Sequence, residues 1–265
     1  MKTMHTLEII ILGAIQGLTE FIPISSSGHL VIAQNFFSGA SNHLYLEFIN
    51  IGTILALLVY FRKKISDIVR DVMINKRYQL AVNILLTAIP AGLVGFFAAH
   101  FIESSAFFGS LITVMISLAV VGLIMVVLEK LPKASAVKDG ESLGKKRAII
   151  IGLAQILALI PGVSRSGSTI ITGRLAGLSP SSSAEYSFLA SLPIMFGVTL
   201  KIFISDTDYM MANMQALILG NLVAFITGII AIGFLMRYLS THSLAIFGWY
   251  RIGLSAILAL VLLLQ

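Results

Sequence analysis

Pro23-Ile24-Ser25-Ser26-Ser27-Gly28-His29 sits inside an apolar region, yet it holds three hydroxyls, an imidazole and two helix-breaking residues. Just before it, Gln16 and Glu20 are one helical turn apart and share a face. Near mid-chain a similar stretch returns as Pro161-Gly162-Val163-Ser164-Arg165-Ser166-Gly167. Broken backbone of this kind cannot face lipid, where its N–H and C=O groups would have no partners. Both stretches must be buried in protein or line a wet cavity. The chemistry is expected there.

The rest of the composition fixes the solvent. The chain is 57% hydrophobic and 11% charged with mean hydropathy +0.97, whereas a soluble domain carries about a quarter charged residues. This is the composition of an integral membrane protein with several spans, and residues 1–265 read as one membrane domain. A net charge of +6 raises the question of nucleic acid, but the placement of the charges answers it. Six of the 18 Lys and Arg lie in 62–77 and six more in 130–147. Short basic loops beside apolar spans are the positive-inside signal, so both loops are predicted to be cytoplasmic and no nucleic acid is expected. With no cysteine there is no disulfide, thiolate metal site or cysteine nucleophile. The apolar run 9–15 after Lys2 lacks a small-residue cleavage site, so it is predicted to stay in the mature protein.

Residues 6–22 are too short to cross a bilayer, which needs about 20 apolar residues. After the break, a second piece over about 29–37 completes a hairpin that leaves by the side it entered. Spans follow at 43–61, 78–101 and 107–128. An amphipathic surface segment lies at 63–77, and a turn carrying His100 and Glu103 separates the second and third spans. Loop 129–147 links to a second half with the same order. A short piece at 148–160, the Pro161–Gly167 break and a piece to about 177 precede spans near 180–204, 212–236 and 243–264. The halves, about 6–128 and 148–264, align: Gly13 and Gln16 match Gly152 and Gln155 at an offset of 139, as do Ser25–Gly28 and Ser164–Gly167. Glu47 matches Glu185 at 138. Three spans per half is odd, so the halves must be inverted. The predicted fold is an all-α integral membrane protein with six transmembrane helices plus two re-entrant helical hairpins arranged as an inverted repeat. The hairpin tips are expected to meet at a central site.

Six ionisable residues fall where hydrocarbon should be: Glu20, His29, Glu47, Arg165, Arg174 and Glu185. Arg174 is predicted to snorkel to the headgroups, and Glu47 and Glu185 to cap the opposite hairpin. Arg251, beside Trp249 and Tyr250, reads as an interfacial anchor. Glu20, Ser26, His29 and Arg165 form the catalytic set. On a helix restarting after Pro23, Ser26 and His29 share a face, and a hydroxyl near an imidazole and a carboxylate is the arrangement of an activated nucleophile. Arg165 opens a half-helix in a Gly/Ser-rich break, which favours a phosphate. Gln16, Ser25, Ser27, Ser164, Ser166, Gly167 and Ser168 are expected to bind substrate. Ser26 attacks phosphorus with Glu20 or His29 as base, or His29 is itself the nucleophile. One carboxylate and one histidine are few ligands for a dedicated metal cage, so no protein metal site is predicted. A divalent cation (Mg²⁺ or Ca²⁺) held by substrate oxygens is compatible with the set.

Gln16-Gly17-Leu18-Thr19-Glu20-Phe21-Ile22-Pro23-Ile24-Ser25-Ser26-Ser27-Gly28-His29 and Pro161–Gly167 strongly resemble the undecaprenyl-diphosphate phosphatase family, also called bacitracin-resistance proteins. The resemblance covers nearly the whole chain. It implies hydrolysis of undecaprenyl diphosphate to the monophosphate for peptidoglycan synthesis, in a bacterial plasma membrane, with the site open to the outer face. It also implies functional roles for Glu20, Ser26, His29 and Arg165, with Gln16 at a position where the family has Glu or Gln. Asn50 stands where many relatives have Gln. Ile171 stands where acid-phosphatase-type lipid phosphatases carry a second histidine, which argues against a two-histidine phosphoenzyme. The alternative, from another class, is an undecaprenyl phosphate translocator using the same anion site. The small-residue faces at Gly92 and Gly95, and at Gly228 and Gly233, suit close helix packing within one chain or in a homodimer.

Overall fold

A computed structural model describes residues 5–36, 43–131 and 137–264, so Lys2, Lys133 and the far end of the 29–37 piece fall outside it. The described residues are helical, with no strand among them. The reason is solvent: a helix satisfies its own backbone hydrogen bonds where water cannot. Helix α1 (Thr6–Phe21) and α2 (Ser26–Phe36) flank the first break. Next come α3 (His43–Phe48), α4 (Asn50–Tyr60) and α5 (Arg62–Arg70), the last running into a π-helical turn at Asp71–Asn75. Helices α6 (Gln79–Ser104), α7 (Ala106–Gly109) and α8 (Leu111–Leu128) finish the first half.

The second half opens with α9 (Lys145–Ile156), tightened into a 3₁₀ turn at Leu157–Leu159, and α10 (Arg165–Leu175) beyond the second break. It continues through α11 (Pro180–Ser205), α12 (Thr207–Ala212), α13 (Met214–Leu239) and α14 (Ala245–Leu263).

Among the described residues, five helices are long and apolar enough to cross a membrane: Gln79–Ile102, Leu111–Leu128, Pro180–Ser205, Met214–Leu239 and Ala245–Leu263. A sixth is reached only if Leu44–Tyr60 and Arg62–Asn75 are counted together, and these meet at a 70° bend. The span expected at 43–61 is thus interrupted at Ile49 and turned aside at Phe61, where the basic segment begins. Helix α6 continues through His100 to Ser104, past the turn expected there. Helices α1, α2, α9 and α10 have 16, 11, 12 and 11 residues. At about 1.5 Å per residue, none covers a hydrocarbon core of about 30 Å.

The short helices are held by long ones. α1 packs along α13, and α9 packs along α6. α4 lies on α13, α11 lies on α6, and α8 lies on α14. Glycines allow the closest approaches. A Cβ at Gly13 would stand 2.7 Å from the Gly220 carbonyl of α13, and one at Gly152 would stand 2.6 Å from the Thr87 carbonyl of α6. Along α1, Ile9 and Leu12 belong to one apolar cluster with Tyr45, Ile49 and Leu217. Phe21 belongs to another with Leu57, Phe188 and Leu235. Gln16 and Glu20 fall between the two on the same helix.

Candidate active site

Both breaks are built the same way. Pro23 offers no N–H to continue α1 and pushes Ile22 to an extended conformation, at φ −65° and ψ 132°. Two residues on, Ser25 takes φ 78°. In the second break Gly162 has φ 89°, and Ser164 has φ 76°. A non-glycine residue in the left-handed region costs about 1–3 kcal/mol, which the surroundings must offset. They do so in parallel. The Gly28 N–H donates to Ser25 Oγ at 3.2 Å, and the Gly167 N–H donates to Ser164 Oγ at 3.1 Å. Ser25 and Ser27 hydroxyls lie 3.3 Å apart, and those of Ser164 and Ser166 lie 3.2 Å apart. Each serine therefore caps the half-helix that follows it.

Arg251 joins the two breaks. Its Nη1 donates to the Pro23 carbonyl at 3.1 Å, and its Nη2 donates to the carbonyls of Gly162 and of Val163, the latter at 3.1 Å. The side chain is fully buried, at 0% exposure, while Trp249 is 61% exposed. The interfacial-anchor reading of Arg251 was therefore wrong. Adjacent helical residues point about 100° apart, so the aromatic neighbours said nothing about the arginine's face. A usable signal was present: Phe247, Gly248, Arg251, Ser255 and Leu258 form one buried stripe at helical spacing.

Between the tips, Glu20 gathers donors from three directions. Its Oε1 pairs with Arg165. Its Oε2 accepts the Ser26 hydroxyl at 2.6 Å and the Gln16 amide at 3.0 Å. Glu20 and Arg165 come from different halves, and their side chains are only 12% and 18% exposed. The Gln16 amide also donates to Asn50 Oδ1, while the Asn50 amide donates to the Leu46 carbonyl at 3.2 Å. Asn50, unexplained by sequence, thus aims the Gln16 NH₂ at the carboxylate. The other terminal nitrogen, Arg165 Nη1, is buried and has no partner.

The remaining expected residues surround this centre. Ser166 Oγ donates to the Glu20 carbonyl at 3.3 Å, and Ser168 Oγ donates to the Arg165 carbonyl at 3.0 Å. The N–H groups of Gly167 and Ser168 are taken inside the tip by Ser164. By helix geometry those of Arg165 and Ser166 have no acceptor within α10. His29 lies one turn beyond Ser26, but the hydroxyl faces Glu20 rather than the imidazole. The His29 ring is engaged by the Ser25 carbonyl and the Tyr250 hydroxyl, each at 2.7 Å.

Two expected membrane-depth charges lie elsewhere. Glu185 pairs with Lys64 at 3.0 Å, half-exposed beside the basic segment, so it does not cap a hairpin. Arg174 does not snorkel. It is buried, donating to the Leu178 carbonyl at 3.0 Å and lying 3.9 Å from Glu129. The protein supplies the partners that headgroups were expected to supply. Glu47 is half-buried on α3. As an assembly, the site presents a hydroxyl on a carboxylate, a guanidinium with a free nitrogen and the start of a half-helix, a set suited to an oxyanion and its transfer.

Comparison with known proteins agrees with that chemistry. A family described as bacitracin resistance protein BacA matches residues 9–257. Undecaprenyl-diphosphatase 1 of Clostridioides difficile is 39% identical over 268 residues, covering 97% of each chain. Undecaprenyl-diphosphatase 2 of Shewanella oneidensis is 35% identical over 267 residues, 97% of this chain and 98% of the relative. Undecaprenyl-diphosphatase 3 of Acinetobacter baylyi is 35% identical over 268 residues, 99% and 100% respectively.

Proposed function

The chain belongs to the bacitracin resistance protein BacA family, and on that premise we propose that it hydrolyses undecaprenyl diphosphate to undecaprenyl phosphate and inorganic phosphate. The observation that carries the reading is the Ser26 hydroxyl held 2.6 Å from Glu20, with Arg165 paired to the same carboxylate. Ser26 Oγ attacks the terminal phosphorus as its proton passes to Glu20, and the prenyl monophosphate leaves. Water then attacks that phosphorus. Ser26 departs with the proton held on Glu20, and the water's proton leaves by way of His29. Arg165 Nη1, with the Arg165 and Ser166 N–H groups, stabilises the charge on the transferring phosphoryl group. Gln16, Ser25, Ser27, Ser164, Ser166, Gly167 and Ser168 shape and cap the two tips that hold it.

The two short hairpins are re-entrant, and the halves form an inverted repeat. Two observations support this: the matched left-handed serines at an offset of 139, and the exchange of packing partners, α1 on α13 against α9 on α6. The site faces the outer side of a bacterial plasma membrane, away from the basic segments at 62–77 and 130–147, and the prenyl tail lies among membrane lipid. No three His, Asp or Glu side chains converge among the described residues. A bridging Mg²⁺ or Ca²⁺ would therefore take most of its oxygens from the diphosphate. A Cβ at Gly228 would meet Ala56 Cβ at 3.1 Å within the chain, whereas one at Gly92 meets nothing within 4 Å, so a homodimer would use the latter face. Nothing in the site or its relatives' names favours the translocator.

Phosphate release from a prenyl diphosphate by purified protein, with and without chelator, tests the reading. Ser26→Ala should lower turnover by about 10³-fold or more while leaving the fold intact. Translocation without a nucleophile would leave Ser26→Ala functional, and that result would refute hydrolysis through Ser26.

A further inference from the structure

Both ring nitrogens of His29 are taken up by the protein, and one partner comes from α14. Nδ1 lies 2.7 Å from the Ser25 carbonyl oxygen, an atom that can only accept. Nδ1 must therefore carry a hydrogen. In the neutral ring the lone pair is then on Nε2, and it receives the Tyr250 hydroxyl at 2.7 Å. The two rings are parallel to within 9°, with centroids 5.7 Å apart. Tyr250 is half-exposed, and a tyrosine there would ordinarily turn its hydroxyl toward water or headgroups. Here the hydroxyl is spent on an imidazole one turn from Ser26.

Its placement is also rigid. The next residue, Arg251, is fully buried and tied to the backbone of both tips. The turn of α14 that sets the clamp therefore sets the phenol.

We propose that Tyr250 is a positioning residue of the phosphatase reaction, acting through His29 by fixing the ring's tautomer and the direction in which Nε2 points. The inference rests on the phosphatase reading and deepens it. A phenol is both donor and acceptor. It donates to Nε2 of the neutral imidazole, and by rotating its O–H it accepts from Nε2 of the imidazolium. The ring stays in place through both protonation states, which a phenylalanine could not achieve. This fits a ring that takes up and passes on a proton at Nε2 by way of the phenol oxygen, which gives up its own hydrogen as it receives another, and it leaves neither nitrogen free to attack phosphorus.

The test is a double-mutant cycle on phosphate release by the full-length protein in detergent, with farnesyl diphosphate as the probe. Tyr250→Phe keeps the ring and removes only the hydroxyl. It should lower kcat about fivefold, the size of one net hydrogen bond, with KM within about twofold. In a His29→Ala background the same change should leave the residual rate unaltered, because the residue through which it acts is gone. Unchanged kcat in Tyr250→Phe, or the same fold-loss in both backgrounds, would overturn the inference. ¹⁵N spectra of His29 in the wild-type protein give a readout that needs no variant: protonated Nδ1 with unprotonated Nε2 supports it, and the opposite tautomer overturns it. A wild-type protein that releases no phosphate defeats the phosphatase reading as well. An active wild type with an additive cycle defeats only the role of Tyr250.

Discussion

Replacing Arg251 with methionine tests whether one buried guanidinium holds the two halves of the site together. Methionine keeps much of the volume and removes every donor. Three carbonyls, those of Pro23, Gly162 and Val163, then lose their partner at a depth where no water replaces it. Each orphaned acceptor costs about 1–3 kcal/mol. Against that stands the removal of a buried charge whose own desolvation costs several kcal/mol. The net loss of stability is expected at about 2–4 kcal/mol, less than the sum of three bonds.

Activity should fall further than stability suggests. Ser26 follows one clamped tip and Arg165 follows the other, and a shift of about 1 Å between reacting groups costs on the order of 100-fold in rate. Phosphate release and chemical unfolding would be measured on the same detergent-purified samples. Arg251→Lys, with one ammonium in place of a fork, should fall between the wild type and Arg251→Met. If Arg251→Met turns over at the wild-type rate, the tips are held by something else and the clamp argument is wrong.

Glu20→Gln should cost about 10²–10⁴-fold in kcat, because Ser26 loses its proton acceptor and Arg165 its counter-ion; a loss confined to KM would contradict the assignment. Asp139 gives a pH prediction outside the membrane-spanning helices. Its carboxylate is held below its ordinary value chiefly by the Ser142 backbone N–H, with the Ser142 hydroxyl, Lys138 and Lys64 adding to the effect and burial opposing it. A carboxylate lowered on folding stabilises the fold at pH above its unfolded value and loses that contribution as pH falls through its folded value. The difference in unfolding midpoint between wild type and Asp139→Asn should be constant above about pH 5 and close at lower pH. A gap that persists unchanged to pH 3 would show that the carboxylate's charge is irrelevant to the loop.

The amino-acid sequence alone determined the solvent, the helical class and the two interruptions. Those properties are local: hydropathy over some 20 residues, proline's missing N–H, and polar side chains where lipid would penalise them. The same locality placed Glu20, Ser26 and Arg165 in one list, because each sits at an interruption that needs partners. Contact across the bundle was another matter. Arg251 and Arg174 looked like residues for the membrane interface because sequence gives the charge but not the face it takes. Asn50 and Tyr250 carried no local mark, since their partners Gln16 and His29 lie 34 and 221 residues away in the chain. Only the tertiary structure decided that Ser26 faces Glu20 rather than His29. A shared helical face permits several neighbours, and the packing of α1, α10 and α14 around the tips selects one.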